Sequence, residues 1–339
     1  MQRFCGRFTA LTACLGLVLA FSGAAVAQTY FLSELVSNQT GKAKHTDALL
    51  ANPWGLAYGP GAPFWISDEA SGYSTLYDGM GNPQSLQVLV PPKTGTGPGA
   101  PTGIVYNGST EFKIMNWTSI FLFATLDGTI SGWSTFEPST ALIGVKQTGA
   151  IYTGLAITSK TSGNMLYAAD AANNKVDVYN GTFGLVMSFT DPTIPAGFAP
   201  FGIQDIGGNL YVTYASQTGG SGGYVDLFTE AGTFVKRVAS GKPLNQPWGI
   251  AIAPSNFGTL SGDLLISNNS TTGTINGFNL TTGRFVSAIK NSAGKPITIN
   301  GLWGIEFGGG TTSNGATNQL FFTAGPSDTN GYFGVIGSH

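Results

Sequence analysis

Asn52-Pro53-Trp54-Gly55-Leu56-Ala57-Tyr58 is the stretch that decides the fold, because its pattern returns five more times along the chain. It recurs as Ala100-Pro101-Thr102-Gly103-Ile104-Val105-Tyr106 and as Tyr152-Thr153-Gly154-Leu155-Ala156-Ile157. Further on it reads Ala199-Pro200-Phe201-Gly202-Ile203, then Gln246-Pro247-Trp248-Gly249-Ile250-Ala251-Ile252, and finally Gly301-Leu302-Trp303-Gly304-Ile305-Glu306-Phe307. Gly55, Gly103, Gly154, Gly202, Gly249 and Gly304 are therefore spaced by roughly 50 residues, a period that marks one supersecondary unit per repeat.

Each unit continues alike. A second apolar run follows the glycine, as in Phe64-Trp65-Ile66-Ser67, Met165-Leu166-Tyr167-Ala168-Ala169 and Gln319-Leu320-Phe321-Phe322-Thr323. A polar turn leads to a third, such as Lys175-Val176-Asp177-Val178-Tyr179 or Tyr224-Val225-Asp226-Leu227-Phe228. A fourth, weaker run closes most units, as in Ser85 to Val90, Leu185 to Phe189, Phe234 to Ala239 and Phe285 to Ile289. Apolar residues alternating with small or polar ones, bounded by Gly, Asn and Asp, are the mark of strands and hairpins. The expected fold is all-β: a six-bladed β-propeller with four antiparallel strands per blade.

A solenoid is the competing repeat architecture, and the chain ends argue against it. The last unit stops at its third strand, Tyr332-Phe333-Gly334-Val335-Ile336, while an extra strand, Tyr30 to Val36, precedes the first unit. An open array needs dedicated caps. Here the N-terminal strand can supply the missing fourth strand of the last blade and close the ring, which removes an exposed edge. The residue after each repeated glycine is large (Leu56, Ile104, Leu155, Ile203, Ile250, Ile305) and the next mostly small, with Gln204 and Glu306 as exceptions. Bulky side chains of one blade can thus meet small ones of its neighbour near the axis.

Residues 1–27 read as a cleaved secretory signal, and 28–339 as a single domain. Arg3 and Arg7 form a basic start, Leu11 to Phe21 is apolar, and Ala25-Val26-Ala27 is a small-x-small cleavage site. The apolar run is short for a bilayer span, so no transmembrane anchor is expected. A lipoprotein box at Leu11-Thr12-Ala13-Cys14 is the alternative, but its cysteine precedes most of the apolar run. Both cysteines, Cys5 and Cys14, fall inside this leader, so the mature chain has no thiol, disulfide or cysteine ligand. The expected location is secreted or periplasmic, where disulfides form, but a large closed core does not need them. Removing the leader leaves 13 basic and 17 acidic residues, a net charge of −4. Without a basic cluster, nucleic acid is excluded as a partner. Only 9% of residues are charged and 50 are glycine, yet 42% hydrophobic and 12% aromatic content argue for a folded globular protein. Nothing in the chain suggests a second domain, and a monomer is expected.

The Pro-x-Gly-apolar, Leu-Tyr-x-x-Asp, Val-x-Val-Tyr rhythm, plainest from Gly154 to Tyr179, resembles NHL-repeat propellers. In Asp127-Gly128-Thr129-Ile130-Ser131-Gly132-Trp133, Gly197-Phe198-Ala199-Pro200-Phe201-Gly202, Gly301-Leu302-Trp303-Gly304 and Phe322-Thr323-Ala324-Gly325-Pro326 the chain is also similar to an uncharacterised family of secreted bacterial proteins. That resemblance covers nearly the whole mature chain and implies a propeller and export, with no established activity. The chain departs from it at Ser267-Asn268-Asn269-Ser270, where a Gly-Asn-Phe-Gly-like turn is expected.

Chemistry has few places to reside. The mature chain has two histidines, His45 and His339, too few for a Ser-His-Asp triad or a His-rich zinc site. Gly219-Gly220-Ser221-Gly222-Gly223 joins two strands and opens no helix, so it reads as a hairpin tip and not a phosphate loop. Two constellations remain, both on one face of the disc. The residue before the repeated glycine is a large aromatic in four blades: Trp54, Phe201, Trp248 and Trp303, with Thr102 and Thr153 in the other two. Such a ring either grips a small molecule, a glycan or a protein over the channel, or plugs the channel. The turns after the second strands carry Asp68, Glu69, Asp127 and Asp170, with Asn268 and Asn269 in the fifth blade, and Glu306 adds one carboxylate on an inner strand. Oxygen ligands suit Ca²⁺, and six-bladed lactonases resemble this in using Asp, Glu and Asn around a channel metal. The same residues also cap their own turns. Two functions follow as expectations: a binding or interaction scaffold, or a Ca²⁺-dependent lactonase-like hydrolase or lyase.

Overall fold

Five four-stranded antiparallel sheets and one five-stranded sheet follow one another through the computed structural model, which describes residues 1–2, 29–158, 160 and 163–338. Of the leader read at 1–27, residues 3–27 lie outside the described residues. Blade 1 runs outward through Pro53–Ala57, Phe64–Asp68, Tyr73–Tyr77 and Val88–Leu89. The innermost strands of blades 2 to 6 are Pro101–Tyr106, Tyr152–Ile157, Phe198–Ile206, Pro247–Ile252 and Leu302–Phe307. Each innermost strand touches those of the two neighbouring blades, and the sixth touches the first, so the ring is closed. One 3₁₀ turn, Gly258–Leu260, is the only helical element among the described residues, and no described helix is long and apolar enough to cross a membrane.

The N-terminal strand closes the ring. Tyr30–Ser37 lies antiparallel to Asn330–Ser338, from the Tyr30–Ser338 pair to the Ser37–Tyr332 pair, and so becomes the fourth strand of blade 6. A two-residue strand, His45–Thr46, then adds in parallel as a fifth. This blade is made from both ends of the chain.

Burial follows the two-residue period of a strand. Phe121 and Phe123 point toward blade 1 and join a core with Trp65 and Leu76, whereas Leu122 and Ala124 point toward blade 3 and join Leu155 and Tyr179. Six apolar clusters arise in this way, one at each blade–blade interface, including the one that joins blade 6 to blade 1 through Phe321, Phe333, Phe64 and Tyr77. Burying an aromatic of this size stabilises by about 1.5–3 kcal/mol, so the closing interface is built as solidly as the others.

In every blade the ladder between first and second strand slips at the repeated glycine. Register jumps from Pro53 to Leu56, Tyr152 to Gly154, Pro200 to Ile203, Pro247 to Ile250 and Leu302 to Ile305, and in blade 2 from Phe123 to Thr125 on the second strand. Such a bulge re-aims the residue before the glycine. It also presses the glycine onto the next blade. A Cβ built on Gly55 would stand 2.6 Å from the Thr102 carbonyl oxygen, one on Gly249 2.7 Å from that of Trp303, and one on Gly304 2.8 Å from that of Trp54. No side chain fits there, which explains the invariant residue of the repeat.

Two features depart from the expected strands. The outer strand of blade 1 shrinks to Val88–Leu89, ending before Pro91 and Pro92, which have no N–H to extend a ladder. Blade 2 carries an inserted hairpin, Lys113–Ile114 with Trp117–Thr118, that turns through Met115 and Asn116, both at positive φ. A tight turn of this kind is normally announced by Gly, and none is present.

Candidate functional site: the central channel

The bulges gather the four aromatics at one end of the channel. Trp54 and Trp303 stack with ring centroids 3.7 Å apart, and Trp248 stands edge-on to both, at 6.4 and 5.9 Å. Phe201 leans on Trp54 at 6.1 Å and on Trp303 at 5.6 Å, and Leu126, from the second turn of blade 2, packs against the group. All three tryptophans are buried. Their faces are occupied by one another, so this end is filled with aromatic rings. Trp248 donates its indole N–H to the Thr153 carbonyl (2.9 Å) and Trp303 donates to Asn52 Oδ1 (3.2 Å), while Trp54 Nε1 is buried without a partner.

Thr102 and Thr153 do not extend the aromatic ring, and their role depends on a residue one strand away. Where the residue before the glycine is aromatic, the second strand supplies a hydroxyl: Ser67, Thr213, Ser267 and Thr323. Where it is threonine, that strand has Ala124 or Ala169 instead. Ser267 Oγ accepts from the Gly249 N–H (2.7 Å) and donates to the Trp303 carbonyl (2.5 Å). Thr323 Oγ1 likewise accepts from Gly304 (2.9 Å) and donates to the Trp54 carbonyl (2.5 Å). In blade 2 the hydroxyl comes from the other side, as Thr102 Oγ1 donates to the Tyr152 carbonyl (2.7 Å). A bulge frees backbone groups that are buried here and must be satisfied. In blades 2 to 6 one hydroxyl does this, from either of two positions, whereas in blade 1 the buried Ser67 Oγ makes no hydrogen bond.

The acidic turn residues do not converge. Asp68 accepts from the Thr75 N–H (3.1 Å) and hydroxyl (2.8 Å) through Oδ2, and burial pushes its carboxyl well above the usual range. Glu69 accepts from the Asn52 side chain (2.8 Å), whose oxygen in turn holds the Trp303 indole, so it braces the plug. Asp127 accepts from the Thr125 hydroxyl and the Lys93 N–H, each at 2.5 Å. Asp170 accepts from the Ile151 N–H (3.2 Å) and the Asn173 side chain (2.7 Å). Each carboxylate caps its own turn or ties it to adjoining chain. Among the described residues no three of His, Cys, Asp or Glu come together as a group able to hold a metal. The four acids come from three blades and are engaged in separate local bonds.

At the other end of the channel the innermost strands leave a cavity of about 270 Å³. Its walls are aliphatic (Leu56, Ile104, Val105, Ile157), and its polar groups come from Tyr58, Tyr106, Gln204, Asp205 and Glu306. A smaller void of about 30 Å³ lies under Trp248 and shares Leu56, Ile104, Gln204 and Glu306 with the cavity. Glu306 is half-buried, and desolvation pushes its carboxyl up to about 7. It also raises Tyr58, which burial and this carboxylate together push up to about 12. The side chains of Tyr58, Tyr106, Gln204 and Glu306 make no hydrogen bond to any described residue, whereas Asp205 accepts from the Gly208 N–H (2.9 Å). The sequence marks Gln204 only as a break in the large–small pattern, and Glu306 both as such a break and as an inner-strand carboxylate beside the acidic turns. That break was the available signal, since a polar residue at a small-residue position on an innermost strand faces the axis.

This architecture defines the class: a six-bladed β-propeller whose channel is plugged at one end and hollow at the other. Solved structures agree on the fold. A streptogramin B lyase structure superposes with a TM-score of 0.55 at 14% identity, covering 91% of this chain and 98% of that one. Virginiamycin B lyase from Staphylococcus aureus gives 0.53 at 15% identity over 90% of this chain and 99% of that one. No protein-family model matches the chain. By sequence it belongs to a family with uncharacterised proteins of Acanthamoeba polyphaga mimivirus. One is 33% identical over 320 residues, covering 87% of this chain and 77% of its own length. Another is 30% identical over 302 residues, covering 82% and 78%. These relatives are viral and not the bacterial proteins that the motifs led us to expect.

Proposed function

We propose that the protein is a binding scaffold that receives a small molecule in the channel cavity, with the aromatic group of Trp54, Phe201, Trp248 and Trp303 as the closed floor beneath it. The observation that carries this reading is the set of polar side chains, Tyr58, Gln204 and Glu306, that line the cavity with no protein hydrogen bond. All three are partly exposed, and their polar atoms open toward the hollow. Groups left open toward a hollow of this size are positioned to be satisfied by an occupant, which a rigid ring of strands pre-organises. An enzymatic reading is less well supported. A histidine-to-alanine variant of virginiamycin B lyase is described as catalytically inactive. Here the innermost strands carry no histidine, and His45 sits on the outer strand His45–Thr46 of blade 6. A ligand-observed NMR screen of small metabolites against wild type and Ala57→Leu, which fills the mouth, tests the proposal. Hits should be lost in the variant. Hits that bind both proteins equally lie elsewhere and would refute the cavity site. Export, as read from the leader, is part of the same proposal and is tested by whether protein recovered outside a secreting host begins at Gln28.

A further inference from the structure

The charge lining the channel has one sign. The six innermost strands carry no Lys, Arg or His, and their only ionisable carboxyl groups are Asp205 and Glu306, both of which line the cavity. Asp205 has a backbone N–H as its partner, but Glu306 has none. Lys175 pairs with Asp177, and Arg237 with Asp226 and Asp191; Lys160 pairs with Glu230 and its charge also reaches Asp205, but among the described residues no cation acts on Glu306. Glu306 is therefore a half-buried carboxyl group facing the hollow with no counter-charge beside it, the arrangement that favours a cation from outside.

We propose, resting on the cavity-binding reading above, that the occupant is a small organic ammonium whose charged head pairs with Glu306 and whose short aliphatic stem lies along Leu56, Ile104 and Ile157. The Gln204 side-chain oxygen and the Tyr58 hydroxyl are acceptors for the remaining N–H groups, since neither is used within the protein. A bare metal ion fits less well, because two carboxyl groups do not make a coordination sphere and no group of three ligands exists among the described residues. An anion finds no positive partner on these strands. A neutral ligand leaves the Glu306 charge uncompensated, which a buried site penalises. Burial also holds the Glu306 proton to near neutrality, and a bound ammonium reverses that by favouring the ionised form.

Isothermal calorimetry with three isosteric probes tests this: n-butylammonium chloride, n-butanol and sodium butyrate. Butylammonium should bind saturably and at least tenfold more tightly than the other two. Glu306→Gln, which keeps shape and removes charge, should weaken butylammonium at least tenfold and leave butanol unchanged, and Ala57→Leu should abolish binding. Circular dichroism and thermal unfolding of each variant show whether it is folded. If butanol matches butylammonium, or if Glu306→Gln binds butylammonium as wild type does, the ammonium assignment is wrong and the cavity reading stands. If no probe binds the wild type, the ammonium assignment also fails, and the metabolite screen with Ala57→Leu then decides the cavity reading independently.

Discussion

Replacing Glu306 by glutamine should stabilise the protein, and more so as pH rises. The carboxyl titrates near 7 in the folded protein because it is desolvated, against an ordinary glutamate value of about 4.3 in the unfolded chain. Below both values it is protonated in either state and costs nothing. As pH climbs from about 4.3 to 7 the unfolded chain releases this proton first, so stability falls, and above 7 the penalty is constant. At 1.36 kcal/mol per pKa unit the ceiling is about 3–4 kcal/mol, and the partial exposure of Glu306 brings it to about 1–2. For a propeller of about 310 residues, unfolding entropy near 2.1 cal/mol/K per residue converts this to roughly 2–3 °C in melting temperature. Asp68, Glu69, Asp205 and Asp226 are raised by burial as well and tilt the stability curve the same way. Subtracting the Glu306→Gln curve from that of wild type, by urea denaturation at pH 5, 6, 7 and 8, removes their contribution. A difference already present at pH 5, growing to a plateau above pH 7, is expected. One that is flat across this range would show that Glu306 is not desolvated and would undo the account of the cavity.

Gly202→Ala should destabilise by several kcal/mol, well above the ordinary cost of overpacking, because its Cβ would collide with the Trp248 backbone carbonyl and not with a movable side chain. Chemical denaturation measures it, and a change under 1 kcal/mol would contradict the close approach of the bulges. Deleting residues 28–37 removes the strand paired with Asn330–Ser338 and exposes that edge, so the truncated protein should melt at least 10 °C lower or aggregate. Thr323→Val should cost about 1–3 kcal/mol by leaving the Gly304 N–H and its share of the Trp54 carbonyl unmet, whereas exposed Thr282→Val should change little. Titrating chelator-treated protein with millimolar Ca²⁺ should give no heat and no thermal shift, since Asp68, Glu69, Asp127 and Asp170 serve separate turns; a saturable shift of several degrees would restore the metal reading.

Blade number, strand order and ring closure were all legible in the chain, because each rests on local periodicity that repeats six times. The glycine of the repeat, the alternation in Phe121-Leu122-Phe123-Ala124 and the spare strand at Tyr30 carry that information without any three-dimensional input. The register also places Trp54, Phe201, Trp248 and Trp303 at one end of the channel. What tertiary structure decided is what those residues do there. Whether four rings at equivalent positions form an open grip or a stacked plug depends on channel radius and on bulges that turn each ring inward, and neither is written in the local pattern. Asp68 and Asp170 likewise share a register, with Thr125 at that position in blade 2 and Asp127 two residues on, but each acid bonds within its own turn or to adjoining chain and they form no common site. Glu306 shows the converse. As one letter it is a flaw in a repeat, and it becomes a half-buried carboxyl group facing a hollow only when six strands surround it and none supplies a cation.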